Sequence, residues 1–270
     1  MTKVALTIAG SDSGGGAGLQ ADLRTFAFHC VHGTSAITCV TAQNTLGVTR
    51  VDAMTPEAVV EQIETVVSDI GANAVKTGML PNRGIIEAVA QQVEKFNLKQ
   101  LVVDPVMVSR HGDRLIDDRS VSSLRSLLLP KATIITPNRF EAQLLSGLEI
   151  DSLERMKNAA EIIYQLGGGA VLVKGGGMKG DLRGIDVWFD GNCCEVLRTE
   201  NVDTPNTHGT GCTLSAAIAA NLALELEPLA AVRQAKNYVT TALKYSLNIG
   251  RGTGPVGHFF PLLTNRSVII

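Results

Sequence analysis

What this sequence has little of excludes several kinds of protein. Its 24 lysines and arginines are balanced by 26 aspartates and glutamates, so it lacks the basic excess that a nucleic-acid binder offers to phosphates. No uninterrupted apolar run approaches the roughly 18 residues of a membrane span. The N-terminal apolar stretch over residues 4–9 is short and gives way to Asp12 and a run of glycines. A signal peptide needs a longer apolar region and a cleavage site, so this stretch is read as a first strand and the chain is expected in the cytoplasm. The five cysteines, Cys30, Cys39, Cys193, Cys194 and Cys212, are odd in number and contain no C-x-x-C; reduced thiols fit that pattern better than a disulfide framework. His29 and His32 form an isolated H-x-x-H with no second pair of ligands nearby to complete a tetrahedron, and are read as the end of a helix. There is no Walker-type G-x-x-x-x-G-K-[ST], no linker, no repeat and no low-complexity segment. The 270 residues are therefore expected to form one domain, with residues 261–270 as a tail.

What is present is a regular alternation of short apolar runs with longer helical patterns. Strands are expected at residues 4–8, 35–40, 74–76, 101–103, 133–136 and 170–174. The run over residues 4–8 lacks polar alternation, as expected for a strand buried on both faces. Helices are expected after residue 18 and over 84–96, 121–129, 140–145, 153–166, 209–224 and 229–248. One more begins at Thr55-Pro56, where Thr55 suits the cap and Pro56 the first helical position. Residues 185–189 and 195–198 flank Asp190-Gly191-Asn192, a hairpin signal. This order predicts an α/β fold: a mostly parallel central sheet, helices on both faces and an antiparallel edge hairpin. Ligands in such folds bind beyond the carboxyl ends of the strands. Six of those ends are polar or glycine-rich: residues 10–12, 43–44, 76–78, 104–105, 136–138 and 174–177.

Four motifs carry possible chemistry. In Thr207-His208-Gly209-Thr210-Gly211-Cys212-Thr213-Leu214 two glycines precede an alanine-rich helix. Free N–H groups at such a start attract anions and glycine permits close approach; a glycine-rich cap without a ligand is the alternative. Cys212 stands at that helix start, where the field lowers a thiol pKa; it either takes the proton of an attacking hydroxyl or lines the pocket. Asp203 belongs to the approach loop. Asn138 and Glu141, after a buried strand, offer oxygens suited to Mg²⁺ directly or through water; they equally suit a helix cap. Asp104 at the neighbouring strand end tilts the reading toward metal. Lys174 precedes three glycines and is placed to meet phosphates, whereas Lys236 in the last long helix reads as a second cation or a solvated surface residue. The long turn over residues 9–22 places Asp22 one turn into a helix, facing either a ligand amine or the helix N-terminus. Gln43 at the next strand end offers donor and acceptor together, as an aminopyrimidine edge requires. Two G-x-G-x-x-G matches, at residues 175–180 and 252–257, lack the strand–turn–helix setting of a dinucleotide site.

Taken in order, these pieces resemble the hydroxymethylpyrimidine/phosphomethylpyrimidine kinases of thiamin biosynthesis, within the ribokinase-like superfamily. The resemblance runs from Ala5 to about Phe260 through residues 6–22, 41–45, Lys76-Thr77-Gly78-Met79-Leu80, Asp104-Pro105-Val106-Met107-Val108, 136–138 with Glu141, 174–176 and Asn206 to Leu214. It implies a three-layer ribokinase-like fold and a homodimer using ATP and Mg²⁺. The implied reaction phosphorylates 4-amino-5-hydroxymethyl-2-methylpyrimidine to its monophosphate and then to its diphosphate. It further implies that Gln43 reads the pyrimidine edge, with Gly10, Asp22, Met79 and Val106 near the ring. Gly209, Thr210 and Gly211 would form the anion hole, with Cys212 where most sugar kinases of the superfamily carry an aspartate base. Asp104, Asn138, Glu141, Lys174 and Lys236 would serve the nucleotide, the first three of these as metal partners. Two other readings stay open: a pyridoxal or pyridoxine kinase of the same branch, and a catalytically silent ligand-binding regulator. The chain departs from the family over residues 109–115, which are more basic than usual, with Arg114 in place of the expected proline; a mobile loop near the nucleotide is expected there.

Overall fold

In the computed structural model, which describes residues 2–108, 114–176, 178 and 180–264, nine strands form one sheet between two helical layers. The first half contains β1 (Val4–Asp12), α1 (Gly18–Phe28), β2 (His32–Asn44), β3 (Gly47–Ala53), α2 (Pro56–Asp69), β4 (Ala74–Thr77), α3 (Arg83–Lys95) and β5 (Leu101–Val103). The second contains α4 (Asp118–Ser123), continued by a π-helical turn over Leu124–Leu128, then β6 (Ile134–Ile135), α5 (Arg139–Ser146), α6 (Leu153–Tyr164), β7 (Val171–Val173), β8 (Asp186–Phe189) and β9 (Cys194–Leu197). It closes with α7 (Thr210–Ala223), α8 (Pro228–Lys244) and α9 (Phe260–Thr264). The strand order is β3-β2-β1-β4-β5-β6-β7-β8-β9. The six strands from β2 to β7 in that order are parallel, and both edges are antiparallel. No helix among the described residues is long and apolar enough to cross a membrane.

Side-chain alternation along the strands separates two cores. Leu6, Ile8, Val75 and Val103 pack with residues of α2, α3, α5 and α6 on one face. Ala5, Ala74, Val102 and Ile134 pack with α1, α7 and α8 on the other. Helix α7 is buried from Thr213 to Ala223; its alanines let it lie between the sheet and two helices without overfilling the layer. Local chemistry sets the helix starts as the sequence suggests. Thr55 Oγ1 accepts from Ala58 N at 3.2 Å, with Pro56 in the first position.

The predicted hairpin forms: Asp190 Oδ1 accepts from Asn192 N at 2.9 Å and Cys193 N at 2.7 Å, and Phe189 pairs with Cys194. The opposite edge differs from expectation. Strand β2 extends well beyond residues 35–40 in both directions and turns into β3, a strand not expected at all. Every residue of β3 is exposed, so it carries no in–out alternation by which a strand is recognised. The remaining parallel strands end together. Asp104 N donates to the Thr77 carbonyl at 3.1 Å, Thr136 N to Val103 at 2.9 Å and Lys174 N to Pro137 at 2.8 Å. The polar strand ends are thereby lined up along one edge of the sheet.

Candidate active site

Two glycine-rich turns meet at this edge. Between β1 and α1, the Asp12 carboxylate gathers the chain around itself: Oδ1 accepts from Gly14 N at 2.8 Å, and Oδ2 from Gly16 N at 3.0 Å and Ala17 N at 2.8 Å. The His208 ring Nε2 is also 2.9 Å from Oδ2. Burial alone would raise the Asp12 pKa, but the hydrogen bonds from His208, Ala17 and Gly14 leave it lowered. The second turn carries Gly209, the N-cap of α7, at φ +80°. A Cβ there would collide with the Gly16 carbonyl, and one on Gly18 (φ +55°) with the Gly10 carbonyl. Only glycine allows the two helix starts to come this close. Thr210, Gly211 and Cys212 form the first turn of α7, where backbone N–H groups lack helical partners. The Gly18 backbone at the start of α1 lies close enough to the Cys212 sulfur to favour its thiolate.

Two lysine–aspartate pairs lie close enough to this thiol to act on its charge. Lys76 Nζ is 2.8 Å from Asp22 Oδ2, with neither side chain exposed at all. Thr7 Oγ1 donates to the same oxygen at 2.6 Å, while Asp22 Oδ1 has no partner. Neither sequence alternative for Asp22 anticipated an ion pair, and Lys76 was not singled out. Lys174 Nζ is 2.7 Å from Asp104 Oδ1, which also receives Thr136 Oγ1 at 3.3 Å; Ser215 Oγ donates to Oδ2 at 3.1 Å. A Cβ on Gly211 would sit 3.5 Å from Lys174 Nζ, so this ammonium faces the first turn of α7. The expectation of a lowered Cys212 pKa is overturned. Burial pushes the thiol up to about 11, with Asp22 and Asp104 adding to the rise and Lys76 opposing it. The helix start does not offset the loss of solvent around the thiolate.

Asn138 and Glu141 form a reciprocal capping box on α5. Asn138 Oδ1 accepts from Glu141 N at 3.1 Å, and Glu141 Oε2 accepts from Asn138 N at 2.8 Å. Burial raises the carboxylate pKa, with the Lys174 charge and the nearby Asn138 and Met107 backbone opposing the rise. The two residues thus serve as a helix cap and still stand beside Asp104 and Lys174, whose charges both act on Glu141. Among the described residues, no three His, Cys, Asp or Glu side chains are grouped to hold a metal ion by themselves. A Mg²⁺ held at these oxygens would take most of its ligands from water and phosphate.

Lys236 is not a solvated surface residue. Its ammonium is 2.6 Å from Asp186 Oδ2 and donates to the Gly184 carbonyl at 2.7 Å, and Asp186 Oδ1 accepts from Gly175 N at 2.9 Å. It fastens the chain following Lys174 to α8. Asp203 is exposed, 3.8 Å from Arg183. His29 is the C-cap of α1 and His32 opens β2, so the H-x-x-H is a helix end. Arg114 pairs with Asp118; the loop expected over residues 109–115 otherwise falls largely outside the described residues.

Of the remaining predicted positions, Gly10, Gln43 and Met79 stand at the ends of β1, β2 and β4, and Val106 beyond β5. A Cβ on Gly10 would sit 3.8 Å from Met79 Cβ and would strike Cys39 Sγ at 2.6 Å. Val106 follows Asp104 in a tight turn, its N donating to the Asp104 carbonyl at 2.9 Å. The Gln43 amide lies between Thr41 and His208, with Oε1 3.2 Å from Thr41 Oγ1 and Nε2 3.4 Å from His208 Nε2. Asp12, Lys76, His208 and Ser215 are the additions that sequence reasoning did not assign. Asp12 and Lys76 stood at polar strand ends and His208 inside the motif before α7, whereas Ser215 carried no signal.

The sequence model of the phosphomethylpyrimidine kinase family matches residues 12–257. A hydroxymethylpyrimidine/phosphomethylpyrimidine kinase of Synechococcus elongatus is 60% identical over 259 residues, covering 96% of this chain and 98% of that one. Among solved structures, Bacillus subtilis pyridoxal kinase bound to ADP superposes with a TM-score of 0.90 at 42% identity, covering 96% of this chain and 98% of that chain. Staphylococcus aureus pyridoxal kinase with AMP-PCP and pyridoxal gives 0.87 at 39% identity, with 96% and 94% covered. With nearly its full length matched, the chain belongs to the phosphomethylpyrimidine kinase family.

Proposed function

We propose that this protein is an ATP-dependent phosphotransferase that phosphorylates 4-amino-5-hydroxymethyl-2-methylpyrimidine, and then the resulting monophosphate, to supply the diphosphate for thiamin synthesis. The observation that carries the reading is the meeting of the α7 start with Lys174: its ammonium lies 3.5 Å from where a Gly211 Cβ would sit, beside a first helical turn in which Thr210 N alone is taken, by the Thr207 carbonyl at 3.3 Å, among the described residues. Phosphoryl transfer asks for positioning and charge neutralisation more than covalent help. Gly209, Thr210 and Gly211 offer their backbone to the migrating phosphoryl group. Lys174, held by Asp104, faces the phosphate chain, and Lys236 acts behind it through Asp186 and Gly184. Glu141, Asn138 and Asp104 are the oxygens beside a hydrated Mg²⁺, which when bound neutralises phosphate charge. Gln43 reads the pyrimidine edge, with Gly10, Met79 and Val106 framing the ring site, while Asp22 is sealed beneath it against Lys76.

In the first step the substrate hydroxyl oxygen forms a bond to the γ-phosphorus while the bond to the β–γ bridging oxygen breaks, leaving ADP. The hydroxyl proton must leave. A thiol with its pKa near 11 is protonated at neutral pH, so Cys212 accepts it only as ligands change its surroundings; otherwise it passes to the phosphoryl oxygens. The second acceptor is already an anionic phosphate and needs no base. The same reading carries one catalytic domain, a cytoplasmic location and a homodimer.

Pyridoxal is the second reading, because solved relatives of closely similar fold are pyridoxal kinases. The purified protein with MgATP and either acceptor, followed by mass spectrometry, separates the two. Formation of both pyrimidine mono- and diphosphate is expected. Conversion of pyridoxal alone moves the protein to the vitamin B6 branch, and no transfer to either acceptor leaves it a silent binder.

A further inference from the structure

The Gln43 amide sits in a hydrogen-bond environment that admits only one orientation. A primary amide turned by 180° fills the same space, so its sense is decided by what its neighbours can donate and accept. Thr41 Oγ1 has a single proton. The Ser11 carbonyl, 2.7 Å away, is an obligate acceptor and takes it. Toward Gln43, Thr41 therefore presents only lone pairs. On the other side, His208 Nε2 is 2.9 Å from Asp12 Oδ2. That oxygen belongs to a carboxylate already collecting three backbone N–H groups, which favour its ionised, acceptor-only form. His208 Nε2 must therefore carry its one hydrogen, whether the ring is neutral or charged; that hydrogen is directed first at Asp12 Oδ2 and reaches Gln43, 3.4 Å away, only as a shared bond, so His208 offers Gln43 no lone pair. An amide with oxygen toward Thr41 and nitrogen toward His208 would set acceptor against acceptor and donor against donor.

We propose that the Asp12–His208 pair, together with Thr41, fixes Gln43 with its amide oxygen toward His208 and its NH₂ toward Thr41. His208 and Asp12 are thus positioning residues for substrate choice. This rests on the reading of Gln43 as the group that meets the ring, and gives it a direction. The remaining lone pair of Oε1 and the second N–H of Nε2 point out together, acceptor on the His208 side and donor on the Thr41 side. The matching ligand edge is an amine beside a ring nitrogen, as in a 4-aminopyrimidine, with its exocyclic NH₂ on the His208 side and the ring nitrogen on the Thr41 side. A pyridine whose nitrogen has no neighbouring amine satisfies at most one of the two contacts.

The first test needs no substrate. Neutron diffraction from crystals of the deuterated full chain shows which amide atom of Gln43 carries deuterium. Deuterium facing Thr41 Oγ1, with His208 Nε2 deuterated, is expected; deuterated nitrogen facing a bare His208 Nε2 would overturn the proposal, whatever the protein's activity. The second test compares His208→Gln, whose amide can still donate toward Gln43, with His208→Leu, which cannot. The expected result is a KM for the pyrimidine about tenfold higher in His208→Leu than in His208→Gln, the scale of one hydrogen bond, with similar kcat in the two variants. Equal KM values, or a loss confined to kcat, would contradict the positioning role and point to disturbance of the Gly209 turn instead. If wild-type protein phosphorylates only pyridoxal while the neutron result stands, the reading of Gln43 as a pyrimidine contact fails and the amide orientation does not.

Discussion

The two buried lysine–aspartate pairs flanking Cys212 are chemically alike but differ in how they are finished. Lys76–Asp22 is sealed on all sides, has Thr7 as its one further partner and leaves an Asp22 oxygen unpaired. Lys174–Asp104 is supplied with Thr136 and Ser215, and its ammonium reaches the first turn of α7 with 11% of the side chain exposed. A charge that can reach the site works on a ligand; a charge that cannot works on the architecture and on the potential at its neighbours. Under the proposed function, the difference gives Lys174 to phosphate and Lys76 to holding β4 against α1 beneath Cys212.

Breaking the sealed pair is expected to give the largest effect. Lys76→Met strands the Asp22 carboxylate with Thr7 alone, and removing one partner of a buried pair costs about 3–5 kcal/mol. For a chain of this size that lowers Tm by roughly 10 °C, read by calorimetry, and Lys76→Met combined with Asp22→Leu should recover much of it. Lys174→Met should lower kcat by about 100–1000-fold, the scale for losing one transition-state donor. Its Tm should fall less than that of Lys76→Met, because Thr136 and Ser215 still serve Asp104. Cys212→Ala should slow the first phosphorylation by up to about 100-fold, the lower end of acid–base catalysis, and slow the second much less. An equal loss in both steps would remove Cys212 from proton transfer. The smallest effect concerns thiol reactivity. With its pKa near 11, Cys212 should alkylate slowly at pH 8, its rate still rising with pH well above 9. Asp22 opposes the thiolate, so Asp22→Asn should speed alkylation.

The same contrast explains what could be read from the chain beforehand. Short apolar runs marked most of the parallel strands, and their polar ends marked the edge where the candidate site lies, because burial on both faces leaves few other places for such residues. The Asp190-Gly191-Asn192 turn was legible because its hydrogen bonds are local. Strand β3 was not, since all its side chains are exposed and only pairing with β2 defines it. The roles of Asp22, Lys76 and Lys236 were also hidden. Charged residues are read as exposed by default, and each of these is buried only because a partner 50 or more residues away neutralises it. Cys212 was misjudged for a related reason: the helix start is visible in sequence, whereas the depth of burial that opposes it is not.

The division of labour between the two pairs can be measured by calorimetric titration with Mg²⁺ and AMP-PCP, set against AMP, for wild type, Lys174→Met and Lys76→Met. Lys174→Met should bind AMP-PCP at least tenfold more weakly, worth about 1.4 kcal/mol, with AMP affinity unchanged, while Lys76→Met should bind both nucleotides as wild type does. AMP-PCP affinity undiminished in Lys174→Met, or lost equally in Lys76→Met, would contradict the assignment of phosphate binding to the Lys174–Asp104 end.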